Sequence, residues 1–88
     1  MLERHVETAL AQSARLVGGL ALKWVSPGHD GVPDRIVLLP GGVVRFVELK
    51  APGKKPTPLQ AKVHTLLRDL GFRVDVIDNV GDARAYFD

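Results

Sequence analysis

A chain of 88 residues with 45% hydrophobic and 25% charged residues is long enough for one domain, residues 1–88, and this balance excludes a disordered protein. It contains no cysteine, which excludes disulfides and thiolate metal sites and leaves oxygen or histidine as metal ligands. The formal net charge of +2 is weak support for a nucleic-acid partner. Charged residues near the start argue against a signal peptide, and no apolar segment is long enough to span a membrane, so we expect a cytoplasmic protein.

The first half of the chain predicts one helix and three strands. Apolar residues spaced three and four apart over residues 2–17 predict a helix with one buried face, followed by a pair of glycines. Apolar segments predict strands at 20–25, 35–39 and 43–50. The sequence Pro-Gly-Gly at 40–42 predicts a tight turn, so the second and third strands should form a β-hairpin.

The second half predicts a helix, a strand and a short last helix. Thr57, Pro58 and Gln60 have the residue types that are preferred at the N-cap, at the first helical position and three residues after the cap. Alternating side chains predict a fourth strand at 72–77, which a helical crossover makes parallel to the third. Asp82 is the expected N-cap of the last helix. The residues expected in this helix include Ala83, Ala85 and Phe87.

The predicted order of elements is therefore α-β-β-β-α-β-α. This order favours an α/β fold in which a mixed four-stranded sheet is flanked by helices. His5, His29 and His64 do not have the spacing of metal ligands, and we expect each of them on the surface or in a loop. Trp24 is expected in the core or at a dimer contact.

Ionisable residues stand at the end of the predicted hairpin that is away from its turn. Glu48 and Lys50 are two residues apart in the third strand and should project from one face. Asp34 begins the second strand, and the hairpin should bring it beside Glu48. Because an unpaired buried charge costs much free energy, charged side chains on an otherwise apolar strand indicate a functional site.

Two carboxylates and an amine are suited to metal-assisted phosphoryl chemistry. Asp34 and Glu48 offer the oxygen ligands that Mg²⁺ or Mn²⁺ prefers, and such cations commonly share their coordination shell with substrate phosphate. The ammonium of Lys50 could orient the attacking water and neutralise charge that develops on the phosphoryl group. The sequence thus predicts a small metal-dependent nuclease. The candidates for phosphate contacts are Lys23, Lys54 and Lys55, with Arg35 as a further one.

Three short segments occur in a fixed order on the predicted elements. They are 31–35 (GVPDR), 46–50 (FVELK) and 58–60 (PLQ). This ordered set resembles the VRR-Nuc (virus-type replication-repair nuclease) family of the PD-(D/E)xK nuclease superfamily, and the similarity extends over nearly the whole chain. The resemblance implies a restriction-endonuclease-like core with Mg²⁺ or Mn²⁺ as the cofactor.

The resemblance also implies the roles of particular residues. Asp34 and Glu48 would bind the metal, Lys50 would assist the attacking water, and a glutamate of the first helix would complete the site. Of Glu3 and Glu7, we favour Glu7 because it is farther from the fraying terminus. The catalytic residues implied in this way are Glu7, Asp34, Glu48, Lys50 and Gln60.

The resemblance further implies a partner and a source. Family members of this length resemble homodimeric enzymes that cut branched DNA such as four-way (Holliday) junctions, as in DNA repair. We therefore expect branched DNA and a second copy of the chain as partners, and a bacterial or phage origin.

Other interpretations stay open from the residues alone. A nuclease that acts on RNA is one, and an inactive nuclease-fold module that binds nucleic acid is another, although the intact set of acids and lysine speaks against the second. The identity of Gln60 is explained equally well by a capping box with Thr57.

Overall fold

A computed structural model describes residues 2–88. It contains seven elements in the order α-β-β-β-α-β-α, as predicted from the sequence. Their bounds are α1 Glu3–Leu16, β1 Leu20–Lys23, β2 Arg35–Leu39, β3 Val43–Leu49, α2 Pro58–Asp69, β4 Arg73–Ile77 and α3 Val80–Ala85. Among residues 2–88 no helix has the length and apolar character needed to cross a membrane.

The four strands form one mixed sheet in the order β1-β2-β3-β4. The pairs β1/β2 and β2/β3 are antiparallel, and β3/β4 is parallel, which confirms both the hairpin and the crossover. In the hairpin Leu39 is opposite Val43 and Arg35 is opposite Val47, so the first residues of β2 lie beside the last residues of β3. This register brings the chain around Asp34 to the chain around Glu48.

Helices cover the two faces of the sheet in different ways. One face carries the main apolar core, in which α1 and α3 pack on side chains of β2, β3 and β4. The other face carries Phe46 and Glu48 and is covered by α2, with the aromatic rings of Trp24 and Phe72 against Phe46 at centroid distances of 5.1 and 5.3 Å. The buried core residues of the first face are Val6, Ala9, Leu10, Val37, Val47, Leu49, Ile77 and Ala83.

The loop between β1 and β2 is held close to α2 by a glycine. Gly31 has a φ of +87°, and a Cβ atom at this position would lie 3.0 Å from side-chain carbons of both Leu59 and Val63. Only glycine combines this backbone conformation with so close an approach. The loop therefore delivers Pro33, which is buried, and Asp34 to a fixed place at the start of β2.

Several predicted boundaries are wrong in detail, among them the end of β3, which is Leu49 rather than residue 50, and the start of β4, which is Arg73 rather than residue 72. The N-cap of α3 is Asn79 rather than Asp82, because the Asn79 Oδ1 atom accepts the Asp82 N–H at 2.7 Å and the helix begins one turn earlier. As a result Phe87 lies beyond the end of α3, where it packs against the core. Strand β1 ends at Lys23 rather than at residue 25, although the Trp24 N–H still donates to the Asp34 carbonyl at 2.9 Å.

Candidate active site

The hairpin brings the carboxylates of Asp34 and Glu48 together. Asp34 is held in place by the Leu49 backbone N–H, which donates to its Oδ2 atom at 2.9 Å. The Glu48 side chain is 1% exposed. Burial, and then the adjacent carboxyl of Asp34, raise the pKa of Glu48 to about 8. Two acids thus share a site in which the charged form of one of them is disfavoured.

Lys50 supplies a positive charge next to this pair. Its Nζ atom lies 3.7 Å from Glu48 Oε2, and its side chain is 16% exposed. The Lys50 backbone N–H donates to the Ile77 carbonyl at 3.0 Å, which fixes the end of β3 against β4. The ammonium is therefore anchored beside the acids and still accessible to a bound phosphate.

His64 is a part of the site that the sequence analysis placed wrongly. It is only 2% exposed, and its Nε2 atom lies 3.3 Å from Glu48 Oε1. Burial, followed by the charges of Arg68 and Lys50, lowers the pKa of His64, so the imidazole is neutral at pH 7. The expected surface position is wrong because α2 turns Val63 and His64 toward the sheet.

A signal for His64 was available in the spacing of α2. Gln60 and His64 are four residues apart and lie on one side of the helix, one turn from each other. That side faces the strand that carries Glu48. Two leucines farther along the chain are exposed instead, Leu66 at 49% and Leu70 at 74%.

Gln60 forms the predicted capping box. Its Oε1 atom accepts the Thr57 N–H at 2.9 Å, and its own backbone N–H donates to Thr57 Oγ1 at 3.2 Å. The side-chain amide oxygen of Gln60 therefore caps the N-terminus of α2, one turn before His64. A further role of Gln60 at the edge of the site stays a prediction.

The two glutamates of α1 are placed differently. Glu7 forms an ion pair with Arg35, whose Nη1 atom also donates to the Ala21 carbonyl at 3.0 Å, so Glu7 ties α1 to β1 and β2. Glu3 is exposed and forms no ion pair within the described residues 2–88. Its negative charge contributes to the raised pKa of Glu48. The choice of Glu7 as the catalytic acid of α1 stays a prediction, with Glu3 as its alternative.

An open cleft of about 310 Å³ lies beside Asp34 and the two glutamates of α1. Lys23 is part of its wall, whereas Lys54 and Lys55 are exposed in the loop between β3 and α2. That loop is attached to the end of β4, because the Gly53 N–H donates to Asp78 Oδ2 at 3.3 Å. The residues that line the cleft are Glu3, Glu7, Lys23, Trp24, Val25, Asp34, Arg35 and Leu49.

The donors of the site are suitable for a divalent cation. Within residues 2–88 no group of three or more His, Asp or Glu side chains is arranged as a complete metal site. Mg²⁺, however, is usually held by one or two carboxylates, with water and substrate phosphate as the remaining ligands, and Asp34 and Glu48 provide such a pair. Because its pKa is raised, the Glu48 carboxyl keeps a proton near neutral pH, and a bound cation would take the place of that proton. The pair of carboxyl groups therefore fits a metal.

Comparisons with known proteins agree with this site. No protein-family model matches the chain. "Putative nuclease p44" of Acyrthosiphon pisum secondary endosymbiont phage 1 is 52% identical over 77 residues, which cover 88% of this chain and 83% of that protein. A solved structure described as a VRR_NUC domain superposes with a TM-score of 0.90 at 32% sequence identity. The superposition covers 97% of this chain and 92% of the solved chain. With this agreement in both sequence and fold, the chain belongs to the VRR-Nuc nuclease family.

Proposed function

We propose that the chain is a Mg²⁺- or Mn²⁺-dependent endonuclease that hydrolyses phosphodiester bonds of DNA. The observation that carries this proposal is the pair of Asp34 and the buried Glu48, with the Lys50 ammonium 3.7 Å from a Glu48 oxygen. Membership of a nuclease family supports the reaction class. The intact set of two acids and a lysine favours an active enzyme over an inactive binding module.

The proposed roles follow from the positions of the side chains. A divalent cation held by Asp34 and Glu48 would polarise a phosphoryl oxygen and lower the pKa of a water molecule. Lys50 orients the attacking water and stabilises the negative charge that develops on the phosphoryl group. His64 contacts the other oxygen of Glu48 and, being neutral, positions that carboxylate without adding charge.

We further propose that the preferred substrate is branched DNA, such as a four-way junction, and that two copies of the chain act on it. A twofold dimer presents two equivalent sites to a substrate that itself has twofold symmetry. An apolar groove of about 330 Å³ between α2 and the loop after β1 supports pairing, because Leu66 and Leu70 leave much of their surface exposed there. Sedimentation of the purified protein should give the mass of a dimer, and a monomer at the concentrations used for cleavage would exclude this assembly.

A cleavage assay tests the reaction directly. We expect the protein to cut labelled four-way junctions faster than linear duplex when Mg²⁺ or Mn²⁺ is present, and EDTA to stop the reaction. Single-stranded and duplex RNA of the same sequence serve as competing substrates. Cleavage of RNA alone would overturn the DNA assignment. If the folded protein bound DNA but cut no nucleic acid with either metal, the inactive module would replace the enzyme.

A pair of glutamine variants distinguishes the roles of Glu3 and Glu7 in catalysis and in stability. Glu3→Gln should slow cleavage without lowering stability, because Glu3 is exposed and its carboxylate, proposed here as the acid of α1, lines the same cleft as Asp34. Glu7→Gln should lower the free energy of unfolding by about 1 kcal/mol, because it leaves the partly buried Arg35 without its carboxylate. The measurements are cleavage rate at saturating metal and thermal unfolding. A larger loss of rate in folded Glu7→Gln than in Glu3→Gln would return the catalytic role to Glu7.

A further inference from the structure

The outer side of α1 carries two arginines that the proposed reaction does not use. Arg4 and Arg15 are both exposed and are eleven residues apart, close to three full turns, so they lie on the same side of the helix. At a rise of 1.5 Å per residue their Cα atoms are about 16.5 Å apart along the axis. The buried residues of α1, such as Val6 and Leu10, lie on the opposite side.

These arginines line a second cleft, which we call the α1 groove and which has a volume of about 380 Å³. Its lining residues are Arg4, Glu7, Thr8, Ala11, Gln12, Arg15 and Arg35. Two of them, Glu7 and Arg35, also line the cleft that contains Asp34. The ion pair of Glu7 and Arg35 therefore forms a wall between the two clefts, and the α1 groove is adjacent to the cleft beside Asp34.

The charge of the α1 groove is positive. Glu7 is neutralised by Arg35, while neither Arg4 nor Arg15 takes part in a salt bridge anywhere in the described residues 2–88. Two guanidinium groups are thus left to face solvent. Between them the exposed side chain of Thr8 offers a hydroxyl, a group that often contacts the phosphate and sugar of nucleic acids, as Arg side chains do.

We propose that the α1 groove binds the phosphate backbone of a duplex DNA arm that extends from the site of cleavage. This inference rests on the proposed function and adds to it the path of the substrate. With a rise of about 3.4 Å per base pair, the separation of Arg4 and Arg15 corresponds to roughly five base pairs of one arm. The α1 groove lies on the opposite side of the sheet from α2, so it binds a part of the substrate that α2 cannot reach.

Substitution of the two arginines tests the α1 groove. We expect the double variant Arg4→Gln/Arg15→Gln to bind labelled duplex DNA more weakly, with a slope of log affinity against log salt that is smaller by about two, close to one per lost phosphate contact. Fluorescence anisotropy without divalent metal measures both quantities. The matched control is Lys62→Gln, which removes an exposed charge from α2 and should leave the slope unchanged.

Two further measurements show whether Arg4 and Arg15 act through their charge and whether they affect substrate binding or the chemical step. The charge-conserving variant Arg4→Lys/Arg15→Lys should restore most of the salt-dependent affinity, because the release of counterions from phosphate requires a positive charge, which lysine also carries. In cleavage assays the glutamine double variant should show a raised KM with kcat close to that of the wild type. Circular dichroism confirms that the variants are folded.

The outcomes separate the α1 groove from the nuclease function. If the wild type cuts DNA and the glutamine double variant binds with unchanged affinity and slope, the groove proposal is overturned and the nuclease proposal stands. A fall in kcat with an unchanged slope would also overturn it, because the arginines would then act at the reaction centre. If the wild type neither binds nor cuts DNA, both proposals fail together.

Discussion

A Lys50→Ala variant is expected to cleave DNA about 10²- to 10³-fold more slowly than the wild type, because it removes the ammonium that lies beside the buried Glu48. Lys50 is partly exposed, so alanine opens no cavity in the core and the variant should fold. The appropriate measurement is the single-turnover rate at saturating metal and protein, which reports the chemical step rather than binding or product release.

A second lysine provides the control for charge. Lys54→Ala removes one positive charge from the exposed loop that follows β3 and should weaken DNA binding without a comparable loss in single-turnover rate. Affinity for DNA in the absence of metal should change little in Lys50→Ala. A Lys50→Ala variant that cleaves within a few-fold of the wild type would remove Lys50 from the proposed mechanism.

Much of the fold could be predicted because its signals are local. The Pro-Gly-Gly turn at 40–42 fixes the hairpin, and the hairpin alone determines that Asp34 lies beside the end of β3. The start of α2 is equally local, since Thr57 and Gln60 satisfy each other's backbone N–H groups within a single turn. These contacts involve residues close in sequence, or strands joined by a short turn, and need no knowledge of the rest of the chain.

Features that depend on how a helix is rotated against its neighbours could not be predicted in the same way. The sequence of α2 contains more apolar positions than one buried face requires, and packing places His64 inward while Leu66 and Leu70 remain largely exposed. The choice between Glu3 and Glu7 likewise depends on Arg35, which is distant in sequence and takes Glu7 as its partner. The raised pKa of Glu48 follows from the same packing, because burial is its largest cause.

Replacing Glu48 by glutamine should stabilise the metal-free protein while it abolishes metal-dependent activity. In the folded chain the pKa of Glu48 is raised from 4.5 to about 8, first by burial and then by Asp34. Between these two pH values the folded state keeps a proton that the unfolded state has released, so the free energy of unfolding falls as pH rises from about 4.5 to about 8. Glutamine, which is neutral at every pH and can still hydrogen-bond to His64, removes this loss.

The expected gain is small at acid pH and largest above pH 8, where it should reach about 1 kcal/mol or more, equivalent to roughly 4–8 °C in Tm for a domain of this size. Thermal unfolding of wild type and Glu48→Gln across this pH range measures the effect. Asp69→Asn, a change of an exposed acid at the end of α2, is the matched control and should follow the wild type. A wild-type stability that rises with pH over the same interval, relative to the variant, would contradict the raised pKa.

The same two proteins report on the metal independently of cleavage. A cation that binds only the folded state raises Tm by mass action, so Mn²⁺ should stabilise the wild type progressively with concentration and should have little effect on Glu48→Gln. Binding must also displace the proton of Glu48, so the metal-dependent shift in Tm should grow as pH rises toward 8. Equal stabilisation of both proteins by Mn²⁺ would place the cation away from Glu48. In the proposed mechanism, binding of the metal offsets the free-energy cost of keeping Asp34 beside the buried Glu48, so a variant that gains stability by losing that cost should lose cleavage with it.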